Sequence, residues 1–214
     1  MTAAVKLNSV SKKINGREIL NNVTLDIEKG TIVGFVGHNG SGKSMLFRVI
    51  SGLVKPSSGE VQIEGETLHQ TISFPKNARI ILEKPGFLES YSGFDNLKFL
   101  ADIQQKISSE KIELAMQQVG LDPKDKRKVR AYSLGMKQKL AIAQAIMEEP
   151  DLILLDEPMN GLDEESVENV YELIKAENAR GATILLTSHH KADIETLCQK
   201  VYKLNSGNVS EIEQ

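Results

Sequence analysis

Alternating apolar and polar positions open the chain. Val5 to Val10 and Val23-Thr24-Leu25-Asp26-Ile27 read as short strands, and Ile32 to Val36 forms another after the turn signal Lys29-Gly30. Val61-Gln62-Ile63 alternates again and stops at Gly65. A period of two marks strands with one buried and one wet face, so this third predicts a mainly antiparallel sheet leaning on a second unit.

The period changes in the middle. Ser108 or Ser109 can cap a helix whose apolar stripe is Ile112, Ala115, Met116 and Val119, with Gly120 as its stop. Together with the segment Asp95 to Gln105 this predicts a small helical subdomain over about 87–147. Beyond it helix and strand interleave: a helix from about Gly135 to Glu148 ended by Pro150, then the apolar run Leu152 to Leu155. A helix from Glu164 to Ala179 stops near Gly181 and the apolar run Thr183 to Leu186 follows. Strands without alternation, separated by helices, predict a parallel sheet covered on both faces. The expected fold is α/β: one domain over 1–214 with a mostly parallel sheet, an antiparallel β subdomain and a small helical subdomain.

Composition narrows the function classes. The 214 residues carry a net charge of -3, which argues against a general nucleic-acid binder. A lone cysteine, Cys198, excludes an internal disulfide framework, fits a reducing cytosol, and is expected as a semi-buried helix residue. No stretch approaches the ~20 apolar residues of a membrane span, and no signal-peptide core opens the chain. Any membrane part is therefore expected on another polypeptide. The cluster Lys124, Lys126, Arg127, Lys128 and Arg130 is expected as a solvated face.

Gly37-His38-Asn39-Gly40-Ser41-Gly42-Lys43-Ser44 fits G-x-x-x-x-G-K-[ST], a match with roughly a 1% chance of arising anywhere in such a chain. It follows the strand Ile32 to Val36 and precedes the apolar helical segment Met45 to Leu53, the context of a P-loop nucleoside-triphosphatase core. Glycines let the backbone wrap a phosphate with its N–H groups inward, and the helix starting near Lys43 aims its dipole at the same charge. Lys43 is expected on the outer phosphates and the Ser44 hydroxyl on Mg2+. His38 holds a freely variable position of the loop and is expected as spectator surface.

Leu152-Ile153-Leu154-Leu155-Asp156-Glu157 supplies the acidic end of a strand. Asp156 is placed to hold Mg2+, mostly through water, and Glu157 to polarise an attacking water.

With these motifs in place the chain closely resembles, over essentially its whole length, the nucleotide-binding domain of ATP-binding-cassette transporters. Tyr132-Ser133-Leu134-Gly135-Met136-Lys137-Gln138-Lys139 resembles the family signature, Asn160-Gly161-Leu162-Asp163 the D-loop, and Ser188-His189 the switch histidine. The resemblance implies ATP as substrate, Mg2+ as its cation, and two cassettes paired head to tail, most simply as a homodimer. Ser133 and the amides near Gly135 would then contact the γ-phosphate held by the partner's loop, Asp163 would link the two sites, and His189 would hold the attacking water. It further implies ATP hydrolysis that energises a separate membrane permease from the cytoplasmic face of a bacterial membrane, without nucleic acid. The segment Lys84 to Phe99, rich in aromatics, corresponds to the family's groove for the permease, and most of those aromatics are expected to be buried.

Three departures stand out. Leu134 and Met136 replace the glycine and glutamine of the common signature, and whether Lys137 or Gln138 takes over the glutamine's contact is left open. The Q-loop glutamine appears as Glu83, a good ligand for a hard cation; the alternative is a solvent-facing strand-end glutamate. The adenine-stacking aromatic corresponds to Ile14, which predicts weak base selectivity. The combination Glu83-Lys84-Pro85-Gly86-Phe87 with Ser133-Leu134-Gly135-Met136 looks most like a bacterial subfamily of self-protection against antimicrobial peptides, implying peptide or lipid-like cargo. The competing readings are a soluble relative in translation or DNA repair, which generally has two cassettes or coiled-coil insertions, and a non-hydrolysing regulator.

Overall fold

The protein is described by a computed structural model covering residues 3–82 and 86–212. Strands β1 (Ala3–Ile14) and β2 (Arg17–Glu28) form a long hairpin across Asn15-Gly16, both at positive φ as a two-residue turn of this hand requires. They are longer than the alternating runs alone suggest. The short strand β3 (Ile32–Val36) leads into helix α1 (Lys43–Ile50), followed by β4 (Ser58–Ile63), β5 (Glu66–Thr67) and β6 (Ala78–Ile81). Helices α2 (Gly93–Gln104), α3 (Ser109–Gln118) and α4 (Leu134–Ile146) come next, with a 3-10 turn over Val129–Ala131 before α4. Then β7 (Leu152–Asp156), α5 (Glu164–Ala179), β8 (Thr183–Thr187), α6 (Lys191–Leu197), β9 (Lys200–Asn205) and β10 (Asn208–Ile212) complete the described chain.

Two sheets result. One is antiparallel, in the order β2-β1-β4-β5; the other runs β10-β9-β3-β8-β7-β6, parallel except for β10. The strand β3, grouped by sequence with the antiparallel run, is in fact central to the parallel sheet. The apolar strands β7 and β8 are buried at every position, and alternate residues feed two different cores. Ile153, Leu155, Ile184 and Leu186 join the cluster built with α2 to α6, while Leu152, Leu154 and Leu185 join the one built with α1 and the antiparallel sheet. Both faces are dry, which is why the sequence shows no alternation there.

Loops and helix ends carry the rest. Ser92 caps α2 in a reciprocal box with Asp95, and Ser108, not Ser109, occupies the N-cap position of α3. All five basic residues from Lys124 to Arg130 are exposed, as a solvated face requires. The aromatic segment differs from expectation. Phe87 and Phe94 are half-buried against the helical core, but Tyr91 and Phe99 are exposed and pack edge to face, 5.0 Å between centroids, with Leu88, Leu100 and Ile103 also exposed. Leu88 and Tyr91 lie just before α2 and Phe99, Leu100 and Ile103 in its second half, on a side of the helix that α3 and α4 leave uncovered.

Cys198 is buried just past the end of α6, and burial, with the charge of Asp193 adding to it, pushes its thiol up to about 12. At pH 8 it is almost wholly protonated. A disulfide reagent is therefore expected to react with the native protein on the order of a thousand-fold more slowly than with protein in guanidinium, as monitored by absorbance. Equal rates in the two states would show the thiol to be accessible.

Candidate functional site

The segment from Gly37 to Ser44 turns from the end of β3 into α1. Gly37 and Gly42 both have positive φ, and a Cβ on Gly37 would stand 2.4 Å from the Leu204 carbonyl oxygen and 2.7 Å from Ser41 Oγ, so backbone passes where no side chain fits. The β9–β10 turn supports the loop from outside, the Gly207 N–H donating to the Ser41 carbonyl at 3.1 Å. Lys43 is buried, and its Nζ folds back to donate to the Gly37 carbonyl at 2.7 Å. Among the described residues Ser41 Oγ is buried without a hydrogen-bond partner, and the Lys43 ammonium bonds carbonyl oxygens. Such a hydroxyl and such a buried ammonium suit an incoming phosphate. His38 is exposed and hydrogen-bonds the Asn39 carbonyl through Nδ1.

The acids arrive from β7. Asp156 is buried and accepts from Ser44 Oγ at 2.8 Å through Oδ2 and from Thr187 Oγ1 at 2.6 Å through Oδ1. Two of the predicted cation ligands therefore meet although 112 positions separate them. Among the described residues no group of three or more His, Cys, Asp or Glu side chains converges, so a cation here would rest on Ser44, Asp156 and the oxygens of substrate and water, the usual company of Mg2+. Glu83, the third predicted ligand, lies outside the described residues.

Glu157 takes a left-handed backbone at φ 53, a conformation costing about 1–3 kcal/mol in a non-glycine residue. Its N–H donates to Thr187 Oγ1 at 3.0 Å, which helps hold that turn. The strained corner stops the strand and leaves the carboxylate beside the switch position. Glu157 Oε1 lies 3.1 Å from His189 Nε2, and the His189 N–H donates to Glu157 Oε2 at 3.3 Å. Burial raises the Glu157 carboxyl above its ordinary value, while the neighbouring His189, and Lys43 beyond it, pull it back. A carboxylate so placed is a better proton acceptor than a free one.

Gly37 to Ser44, Asp156, Glu157 and His189 thus come together, and most of them line one cleft of about 1330 Å³. Ser133, Gly135 and Asp163 do not line it. Ser133 is exposed as the N-cap of α4, accepting from the Met136 N–H at 3.1 Å, and Asp163 is exposed as the N-cap of α5, accepting from the Ser166 N–H at 2.9 Å. Capping alone accounts for a Ser and an Asp at these positions. Gly135 packs so close to the Gly161 carbonyl oxygen that a Cβ there would stand at 2.8 Å. Gln138, one candidate for the missing signature glutamine's contact, is buried and donates to the Pro158 carbonyl at 2.9 Å, at the lining of the cleft. Ile14 is exposed at the hairpin end and does not line the cleft, whereas Arg17, Glu18 and Ile19 do.

Thr187 was missed from the sequence, although it orients both acids. A polar residue ending an apolar strand was its one available signal.

Residues 20–160 match the sequence profile of the ABC transporter family. The Bacillus subtilis ABC transporter ATP-binding protein YybJ is 45% identical over 98% of this chain and 96% of its own length. The Enterococcus faecalis bacitracin transport ATP-binding protein BcrA is 35% identical over 99% of this chain and 69% of its own length. Among solved structures, one described as the ATP-binding subunit of an ABC transporter superposes with a TM-score of 0.88 at 28% identity, covering 98% of this chain and 89% of that one. With the phosphate loop, the acid pair and the switch histidine gathered in one cleft, these likenesses establish that the chain belongs to the ABC transporter family, as its ATP-binding, ATP-hydrolysing subunit.

Proposed function

We propose that two copies of this chain, paired head to tail, bind and hydrolyse ATP and thereby drive a separate membrane permease, with antimicrobial-peptide or lipid-like molecules as cargo. The observation that carries the pairing is the exposure of Ser133 and Asp163: loop, acids and histidine share one cleft, whose lining takes in the neighbouring Leu134, Gln138 and Asn160 but not Ser133, Gly135 or Asp163. At about 1330 Å³ the cleft also exceeds the roughly 300–1,000 Å³ that usually encloses a small ligand. A second surface, presenting the exposed N-terminus of α4, would close it, and its free N–H groups suit a terminal phosphate. The cargo reading is supported by the likeness to a bacitracin transport protein.

Within each site the loop amides and Lys43 bind the triphosphate, and Ser44 and Asp156 would hold Mg2+, which when bound neutralises charge on the β- and γ-oxygens. Glu157 Oε1 or Oε2 accepts a proton from a water as its oxygen bonds to the γ-phosphorus. The bond to the bridging oxygen breaks, its electron pair leaves with ADP, and the proton returns to the released phosphate or solvent. His189, beside Glu157, holds the water and the γ-phosphate. The pair then loses the charge that joined it.

Residues 87–147 act as the helical subdomain, and the exposed cluster of Leu88, Tyr91 and Phe99 offers the permease an apolar surface. No helix among the described residues is long and apolar enough to cross a membrane. In the permease reading the spanning belongs to that partner, and this chain works at the cytoplasmic face of a bacterial membrane.

The test is Ser133→Asp. Aspartate keeps the N-cap of α4 but sets a carboxylate where the partner's γ-phosphate would arrive. ATP is expected to bind the variant as it binds the wild type, while ATP-driven dimers vanish in sedimentation velocity and turnover drops at least ten-fold. Wild-type turnover by this variant would exclude the shared site.

A further inference from the structure

The last residues of β8 and the loop after it present three consecutive side chains to three acids. Thr187 donates to Asp156 and His189 meets Glu157, both acids of the cleft described above. The middle residue, Ser188, turns the other way and donates to Asp193 Oδ2 at 2.5 Å. Ser188 and Asp193 are each only 4% exposed. The second oxygen of Asp193, Oδ1, accepts from the Tyr171 hydroxyl on α5 at 2.5 Å. Burial, with the bond to Asp193 adding to it, holds the Tyr171 phenol above its ordinary range. Ser188 Oγ also accepts from the His190 N–H at 2.9 Å. The backbone flanking His189 is therefore closed by one hydroxyl, from Ser188 to the His190 N–H, and that hydroxyl is in turn fixed by a buried carboxylate.

Such a carboxylate is expensive to keep dry unless its oxygens are bonded, and two hydroxyls supply those bonds. The cost would be avoided by an apolar residue if α6 needed only to pack. Helix α5 adds a second fact. Its N-cap is Asp163, and Tyr171 lies eight residues on, about two turns along the same rod.

We propose that Asp193, held by Tyr171 and Ser188, is a positioning residue that sets His189 against Glu157 and ties its placement to helix α5, whose exposed end carries Asp163. The inference rests on the paired-cassette reading above. When a second copy engages Asp163, the displacement of α5 reaches His189 through two hydrogen bonds, and one site senses the loading of the other.

The test combines Asp193→Asn, Tyr171→Phe and His189→Ala with wild-type protein, reading steady-state ATP hydrolysis and nucleotide binding. Asp193→Asn is expected to lower kcat roughly ten-fold with KM and ATP affinity unchanged, because the loop that binds phosphate is untouched. Tyr171→Phe is expected to lower kcat less and to bring the Hill coefficient for ATP toward one. In the His189→Ala background, Asp193→Asn should add no further loss, since its effect passes through the histidine. The inference is overturned if folded Asp193→Asn keeps the wild-type kcat, or if the double variant loses the product of the two single losses. Should the asparagine variant not fold, Tyr171→Phe decides: an unchanged kcat and Hill coefficient overturn it. Glu157→Gln run in parallel separates the two levels. Normal hydrolysis by that variant breaks the reading of the site itself, whereas a dead Glu157→Gln beside a normal Asp193→Asn breaks only the relay.

Discussion

Replacing Glu157 by glutamine is expected to lower kcat by about 10²–10⁴-fold while ATP still binds, the range that removing a positioned general base produces. The amide matches the carboxylate in size and accepts the same left-handed backbone, so the corner at φ 53 and its bond to Thr187 Oγ1 survive. What disappears is the proton acceptor 3.1 Å from His189 Nε2. Binding persists because the triphosphate is held by the loop and Lys43. The ATP-loaded variant should therefore accumulate as a dimer, bridged by phosphates it cannot cleave. Phosphate release and sedimentation velocity read the two effects on one sample. Hydrolysis at the normal rate would remove Glu157 from the role assigned to it, and a strictly monomeric ATP-loaded variant, even beside the proposed permease, would remove the pairing.

A second large loss is expected from Lys43→Ala. Lys43 is 7% exposed and spends its ammonium on the Gly37 carbonyl at 2.7 Å and the His38 carbonyl at 3.5 Å. Those neutral acceptors offset the desolvation of a full charge only in part; a phosphate would do so better. Hydrogen bonds to charged groups contribute about 1.5–3 kcal/mol each, so losing one should weaken ATP binding by roughly ten-fold to a hundred-fold. A fall in kcat on the order of 10²–10³ is expected as well, since the same charge stabilises the transferring phosphoryl group. Titration calorimetry with ATP reads the first effect. If the lysine were merely a staple for the loop, the melting temperature would fall and the affinity would not.

The parts of the site built from local backbone chemistry were legible in the sequence. A glycine-rich turn between a strand and a helix, and an apolar strand ending in two acids, each state their geometry in a few adjacent residues. Gly37 to Ser44 and Asp156-Glu157 fall in that class, and the structure brings them to one cleft. The strands β9 and β10 went unread because β9 alone joins the parallel strands, at β3, while β10 pairs only with β9 at the sheet edge and is almost wholly exposed, with no buried stripe to mark it. The exposure of Tyr91 and Phe99 was misjudged because burial depends on what lies opposite, and α3 and α4 leave that side of α2 open. Ser133 and Asp163 were legible as motif members but not as helix caps, two roles that one residue can fill together.

By itself the sequence determined which backbone segments wrap phosphate, which strands have two dry faces, and which acids end them, since propensity, period and spacing act over a few residues. Only the tertiary structure decided that Thr187 orients both Asp156 and Glu157, that Gln138 is spent on Pro158, and that Asp193 joins Tyr171 to the loop of His189. The Thr187 and Gln138 bonds cross 20 to 31 positions of chain, and Tyr171 and Asp193 lie 22 apart. Their partners are chosen by how the strands order in the sheet and how α5 and α6 pack on it, and hydrogen bonding at 2.5–3.0 Å is too short-ranged to be written in any one segment.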